Sequence, residues 1–244
     1  MERVTIRAGG VRLRPFVESD IPWVYEVSLD PLVQKYLQIP LPYQYSDAEF
    51  FVREMAIAAW DDGSRAEFVI EPADGDVRVE SEAVAGADGG SRGGSGLDRA
   101  GAAQDGGSRS GLDPAAAPFG GLSVGAAFDR AAAVRNGGSR LGRVGFGLDR
   151  AGAAQIGYWM DPAARGRGVA TAAVRALCGW GFDTLGLGLV EWRAEVGNHA
   201  SRRVAEKAGF RVEATLRQRL VHRGVRVDAW IGSMVPSELP TRPG

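Results

Sequence analysis

From Gln155 to Ala173 the chain reads Gln-Ile-Gly-Tyr-Trp-Met-Asp-Pro-Ala-Ala-Arg-Gly-Arg-Gly-Val-Ala-Thr-Ala-Ala, an order that permits few backbone paths. Ile156, Tyr158 and Met160 alternate with Gly157 and Trp159, which predicts a strand. Asp161-Pro162 turns the chain, Arg165-Gly166-Arg167-Gly168 forms a basic loop, and Val169 to Trp180, rich in Ala, Val and Leu, is expected to be a helix. A helix that begins at such a loop presents unpaired backbone N–H groups with partial positive charge behind them. Glycine lets the backbone approach a ligand, and two arginines add charge. These are the physical requirements of a phosphate or pyrophosphate cradle.

Three motifs can own such a loop. A Gly-x-x-x-x-Gly-Lys-Ser/Thr loop is excluded, because the only lysines are Lys35 and Lys207. A dinucleotide fingerprint needs Gly-x-Gly-x-x-Gly directly after a strand, with an acid about 20 residues on. Gly166, Gly168 and Glu191 imitate it, but Thr171 stands where the third glycine belongs, and Asp161 to Arg165 separate strand from loop. The pattern Arg/Gln-x-x-Gly-x-Gly/Ala is met at every fixed position by Arg165-Gly166-Arg167-Gly168-Val169-Ala170. On the hexapeptide alone, an ordinary loop capping a core helix is the competing explanation.

Downstream, Leu189 to Val196 reads as a strand, followed by Gly197 and a helix from Asn198 to Gly209-Phe210. Asn198 suits the N-cap and Gly209 the C-terminal stop. Arg217 to Asp228 reads as a hairpin with His222-Arg223-Gly224 at its turn. With the Arg-Gly loop, this Asn-x-x-Ser helix and closing hairpin resemble the Gcn5-related N-acetyltransferase (GNAT) superfamily, nearest its ribosomal-protein-alanine N-acetyltransferase branch. The resemblance is strong from about Gly142 to Val235 and weak from about Val11 to Glu71.

Composition narrows the field. A formal net charge of -1 leaves no electrostatic footprint for nonspecific nucleic-acid binding. Cys178 is the only cysteine, so no disulfide can form within the chain, and a reducing compartment is compatible. The first residues lack an apolar signal core, and no apolar run approaches the roughly 20 residues that span a bilayer. A cytoplasmic protein that does not associate with membranes is expected.

Along the chain, Val4 to Arg7 and Val11 to Phe16 read as strands around Ala8-Gly9-Gly10. A helix follows, capped by Ser19 or Asp20, with Ile21, Val24, Tyr25 and Leu29 as its apolar stripe. Ser46-Asp47-Ala48-Glu49 has the form of a capping box for a helix through Trp60, whose expected buried face is Phe50, Phe51, Met55, Ala58 and Ala59. Ala66 to Glu71 is a strand. Residues 72–140 are dominated by Gly, Ala, Ser, Arg and Asp. Gly96 to Gln104 recurs letter for letter at Gly147 to Gln155, and Gly-Gly-Ser-Arg occurs three times, ending at Arg92, Arg109 and Arg140. Segment 72–140 reads as a largely disordered insertion, because its low hydrophobicity cannot offset the entropy of ordering it. Removing it leaves roughly 175 residues, the size of one domain. Residues 1–244 are thus expected to be one interrupted domain.

The expected fold is α/β: a mixed, mostly antiparallel sheet of about seven strands with helices on both faces, the acyl-coenzyme A N-acyltransferase fold that the resemblance implies. It also implies acetyl-coenzyme A as cosubstrate and acetyl transfer to a primary amine, with no metal. Cofactor contacts would come from Arg165, Gly166, Arg167, Gly168, Val169, Ala170 and Thr171. The pantetheine arm would meet the backbone of Trp159 and Met160, and Asn198. Ser201 falls where a hydroxyl lies near the cofactor sulfur in that branch, so it is a candidate proton donor; a solvent-facing helix residue is the alternative. Glu195, which shares a strand face with Glu191 and Arg193, is the preferred candidate base, and a salt-bridged surface row explains that face as well. His199 and His222 read as solvated. A noncatalytic acyl-coenzyme A sensor and a dinucleotide-binding enzyme are the competing functions. The acceptor, and whether the chain is a monomer or a homodimer, are not readable.

Overall fold

The computed structural model describes residues 1–73 and 140–240. They build one eight-stranded sheet in the order β1-β2-β3-β4-β5-β6-β8-β7. The strands are β1 (Ile6–Ala8), β2 (Val11–Pro15), β3 (Arg65–Pro72), β4 (Gly142–Leu148), β5 (Ala153–Met160), β6 (Leu189–Glu195), β7 (Arg211–His222) and β8 (Val225–Met234). Every neighbouring pair is antiparallel except β5 and β6. A parallel pair needs a crossover, and α5 (Val169–Asp183) supplies it. Eight strands form against the expected seven or so, and the three-residue β1 edge overlaps the strand expected at Val4 to Arg7.

Strand alternation divides the apolar residues between two cores. Phe68, Ile70, Val144, Phe146, Ile156, Tyr158 and Trp192 face α5, and α6 (His199–Ala208) closes the same layer. Val69 and Trp159 face the other way, onto α1 (Ile21–Ser28), α2 (Pro31–Tyr36) and α3 (Tyr45–Phe50). Trp159 packs on Trp23 with ring centroids 5.0 Å apart.

This second face also holds charge. Glu67, fully buried, takes two hydrogen bonds from the buried guanidinium of Arg143, one of them 2.6 Å long. A Cβ at Gly145 would collide with that carboxylate, so glycine in mid-strand makes room for the pair.

The helix after Gln44 departs from the expected phase. It runs as α3, a π-helical stretch over Phe51–Ala58, and α4 (Ala59–Asp61). Its buried residues are Ala48, Val52, Ala56, Ala59 and Trp60, whereas Phe50 is 57% exposed. The π turn is wider than the 3.6-residue turn on which the expected face was drawn. The cap also moves: Asp47, not Glu49, accepts from the Gln44 N–H (2.7 Å), and Glu49 pairs with Arg53. In α1, Trp23 and Val27 are buried, while Leu29, just past its last residue, is exposed.

The expected insertion joins two paired strands. Pro72 is in register with Val11 in the sheet, and the Ala73 N–H donates to the Gly10 carbonyl. Leu141 donates to the Ile70 carbonyl (2.7 Å), and Arg140 bonds to Asp20 (2.6 Å). The ends of segment 72–140 therefore belong to the fold, and the expected disorder between them falls outside the described residues.

Candidate functional site

The loop between β5 and α5 is built from within. Asp161 accepts from the Ala163 N–H (2.9 Å) and from Trp23 Nε1 (3.2 Å), pinning the turn to α1. Arg165 then turns inward. Its guanidinium reaches Asp30 (2.8 Å) and the Met160 carbonyl (3.2 Å), and both charged side chains are about 95% buried. Asp30 at the same time caps α2, accepting from the Leu32 and Val33 N–H groups. Arg165 is thus a strut that fixes the loop, and its charge is already paired.

Beyond the strut the backbone opens outward. Gly166 and Gly168 have φ of +75° and +80°, and a Cβ on either would meet nothing within 4 Å. Gly168 is the N-cap of α5 and brings no side-chain acceptor. The first amides of α5, on Val169, Ala170 and Thr171, therefore face the cleft without a cap. Arg167 is exposed beside them. The opposite wall is α6, with Ala200, Arg203, Val204 and Lys207. Sequence reasoning missed Arg203 and Lys207. Their i,i+4 spacing on a helix facing the loop was the available signal. Two glycine turns, a helix N-terminus and facing cations fit a diphosphate.

The cleft runs into an opening in the sheet. β5 pairs with β6 only as far as Ile156 and Trp192, after which the two strands separate. The Asp161 N–H donates to the carbonyl of Leu141, the residue just before β4 (3.0 Å). Alternation then aims the backbone N–H and C=O of Tyr158 and Met160 into the opening, and those of Trp159 towards β4. A linear amide chain entering there would pair with Tyr158 and Met160 rather than with Trp159. The Met160 carbonyl is engaged by Arg165, which leaves its N–H as the donor aimed at the gap.

On α6, Asn198 is the N-cap and accepts from the Ser201 N–H (3.1 Å). Ser201 is fully buried, not solvent-facing. Its Oγ accepts from Trp192 Nε1 (3.0 Å) and lies 3.1 Å from the Tyr158 hydroxyl, which also donates to the Ser201 carbonyl (2.9 Å). With Tyr158 donating to that carbonyl, the Ser201 proton is directed to Tyr158. Burial pushes the Tyr158 phenol well above its ordinary value, so it stays neutral.

Glu191, Arg193 and Glu195 do share a face, the one opposite α5. Glu191 pairs with Arg193 (2.7 Å), on the far side of the sheet from the glycine loop. That position denies it the role of the dinucleotide acid. Glu195 meets His222 from the β7–β8 hairpin, with Nδ1 2.8 Å from Oε2. His222 is therefore not solvated, as its place beside a turn suggested. Pairing of β8 with β6 brings the hairpin tip against Glu195, which the local sequence does not reveal. His199 is exposed and lies against Trp230. Among the described residues no group of three or more His, Cys, Asp or Glu could hold a metal, and no helix is long and apolar enough to cross a membrane.

Residues 116–211 match the family model described as the acetyltransferase (GNAT) domain. YdaF of Bacillus subtilis, whose name describes a ribosomal N-acetyltransferase, is 39% identical over 85 residues, 35% of this chain and 46% of that protein. The Bacillus licheniformis N-acetyltransferase p20 is 30% identical over 100 residues, 40% of this chain and 56% of that protein. The chain thus spans about half the length of the curated relatives it matches. Among solved structures, Mycobacterium smegmatis RimJ in complex with a coenzyme A disulfide superposes with a TM-score of 0.62 at 18% identity, covering 98% of this chain and 89% of that one. At that identity the likeness concerns the fold.

Proposed function

We infer that this chain, whose residues 116–211 match a GNAT acetyltransferase domain and whose fold resembles that of RimJ, transfers an acetyl group from acetyl-coenzyme A to a primary amine. One observation carries the reading. The uncapped start of α5, reached through two left-handed glycines, lies in a cleft with Arg203 and Lys207, beside the opening between β5 and β6. The diphosphate would rest on the amides of Gly166 to Thr171. The pantetheine arm would run along Tyr158 and Met160, carrying the thioester into the gap. The Met160 N–H would receive the negative charge that develops on the thioester oxygen.

Only a neutral amine attacks. An α-amino group, with a pKa of about 7.7–8.0, is partly neutral near pH 7, whereas a lysine at about 10.4 is not. Protein N-termini are therefore the acceptors proposed first, in keeping with the names of the relatives, and small amines second. Glu195 stands on the sheet face of α1 to α3, where an acceptor would approach from the side opposite the cofactor. Ser201 acts as acid only if its hydroxyl leaves Tyr158; in its present bonds it holds Trp192 and Tyr158 in place beneath the gap. We also propose that residues 1–73 and 140–240 are one catalytic unit. Joining Ala73 to Arg140 should then preserve turnover.

Thiol release from acetyl-coenzyme A across a panel of peptides and small amines tests the function. Release with at least one amine, together with calorimetric binding of coenzyme A, is expected. Binding without release would leave the chain a sensor. A response to NAD and none to coenzyme A would defeat the reading.

A further inference from the structure

The Glu195–His222 contact has a direction. A carboxylate only accepts, so the hydrogen between Oε2 and Nδ1 belongs to the imidazole. The neutral ring then carries its lone pair on Nε2. That atom is buried and has no hydrogen-bond partner among the described residues. A buried orphan acceptor is unfavourable unless something uses it. The ring lines a small pocket with Tyr36, Gln38, Glu195 and Asn198. Three contacts hold this pocket's walls together: Tyr36 to the Gly197 carbonyl (3.4 Å), Gln38 to the Val221 carbonyl, and Arg223 to the Gln34 carbonyl. The pocket lies at the end of β6, beyond the last β5–β6 pair at Ile156 and Trp192.

We propose that His222 Nε2 takes the proton from the acceptor's ammonium group, and that Glu195 is a positioning residue acting through the ring. The inference rests on the acetyltransferase reading above. One proton passes from the ammonium to Nε2, leaving a nitrogen lone pair. That pair forms the C–N bond to the thioester carbon as the C–S bond breaks, and sulfur departs with the electron pair. The nitrogen gives a second proton to the thiolate and keeps the third. The imidazolium then returns its proton to solvent. The overall yield is amide, free thiol and one released proton. Glu195 holds the reactive tautomer and stabilises the imidazolium, the arrangement a base of this kind requires.

The titratable groups lining the pocket are Glu195 on β6 and Tyr36 on α2. The pH dependence of kcat/KM, measured with the best amine of the panel, therefore separates the roles. His222→Gln should lower kcat about 100-fold or more and remove the acidic limb that belongs to the enzyme. The KM for acetyl-coenzyme A and the Kd for coenzyme A should stay within about twofold. Glu195→Gln should lower kcat less, leave the KM for acetyl-coenzyme A within about twofold, and alter the tautomer-sensitive nitrogen signals of the His222 ring by NMR. Only two histidines exist, so His199→Gln leaves a single ring signal by NMR. Adding the amine to the coenzyme A complex should shift it. Full turnover and an unchanged profile in His222→Gln, with coenzyme A binding intact, would overturn this proposal alone. A wild-type chain that binds no coenzyme A would overturn the acetyltransferase reading with it.

Discussion

Replacing Gly168 with alanine separates two properties that usually fall together. The residue has φ of +80°, and an added Cβ would touch nothing within 4 Å. The folded chain therefore loses only what the left-handed backbone imposes on an L residue, about 1–2 kcal/mol. For a domain of this size that lowers Tm by roughly 2–8 °C. The proposed site puts the diphosphate in the space above Gly168, and the methyl group would stand in it. Losing one charge-assisted hydrogen bond, about 1.5–3 kcal/mol, weakens coenzyme A binding by roughly 10- to 150-fold. Thermal melts without ligand and calorimetry with coenzyme A read the two effects separately. A small loss of Tm with undiminished affinity would refute the reasoning, because the methyl group would then lie where no ligand sits.

Other perturbations probe the supports. Asp30→Ala removes the partner of the buried Arg165 and the cap of α2; it should destabilise the fold by about 3–5 kcal/mol in urea titrations and weaken coenzyme A binding as the strut slackens. Gly145→Ala drives a methyl group into the Glu67 carboxylate and should destabilise by about 3 kcal/mol or more without touching the cleft, so residual folded protein should bind coenzyme A normally. Burial alone would raise the Asp20 carboxyl, but hydrogen bonds from Arg14, the Val17 N–H and Arg140 hold it below its ordinary value. Its contribution is therefore present above about pH 4 and is lost as the pH falls through the depressed folded value. Asp20→Asn should flatten the stability profile in that acidic window, which urea titrations between pH 2 and pH 6 would register.

The strand, loop and helix around Arg165 were legible because their signals are local. Alternation marks β5, glycine marks the left-handed turns, and an Ala-rich run marks α5. The second half was readable for the same reason, down to the Asn198 cap and the Arg223-Gly224 turn. Legibility failed where long-range contacts decide. Arg165 read as a cradle charge, but Asp30, distant in sequence, turns it into a strut. Trp159 read as backbone for the cofactor arm, yet pairing with β4 claims its polar groups. Ser201 alternated between two expectations and met a third environment, sealed between Trp192 and Tyr158. His222 read as solvated because its partner, Glu195, lies two strands away in the sheet. The π-helical turn over Phe51–Ala58 carries no sequence mark, so the buried face of that helix was drawn out of phase.

The central claim is that the amides at the start of α5 hold the diphosphate of coenzyme A. Hydrogen exchange at the single residues Val169, Ala170 and Thr171, measured with and without coenzyme A, tests it most directly. Slower exchange at all three on binding is predicted. Binding that protects other amides and leaves these three unchanged would contradict the account.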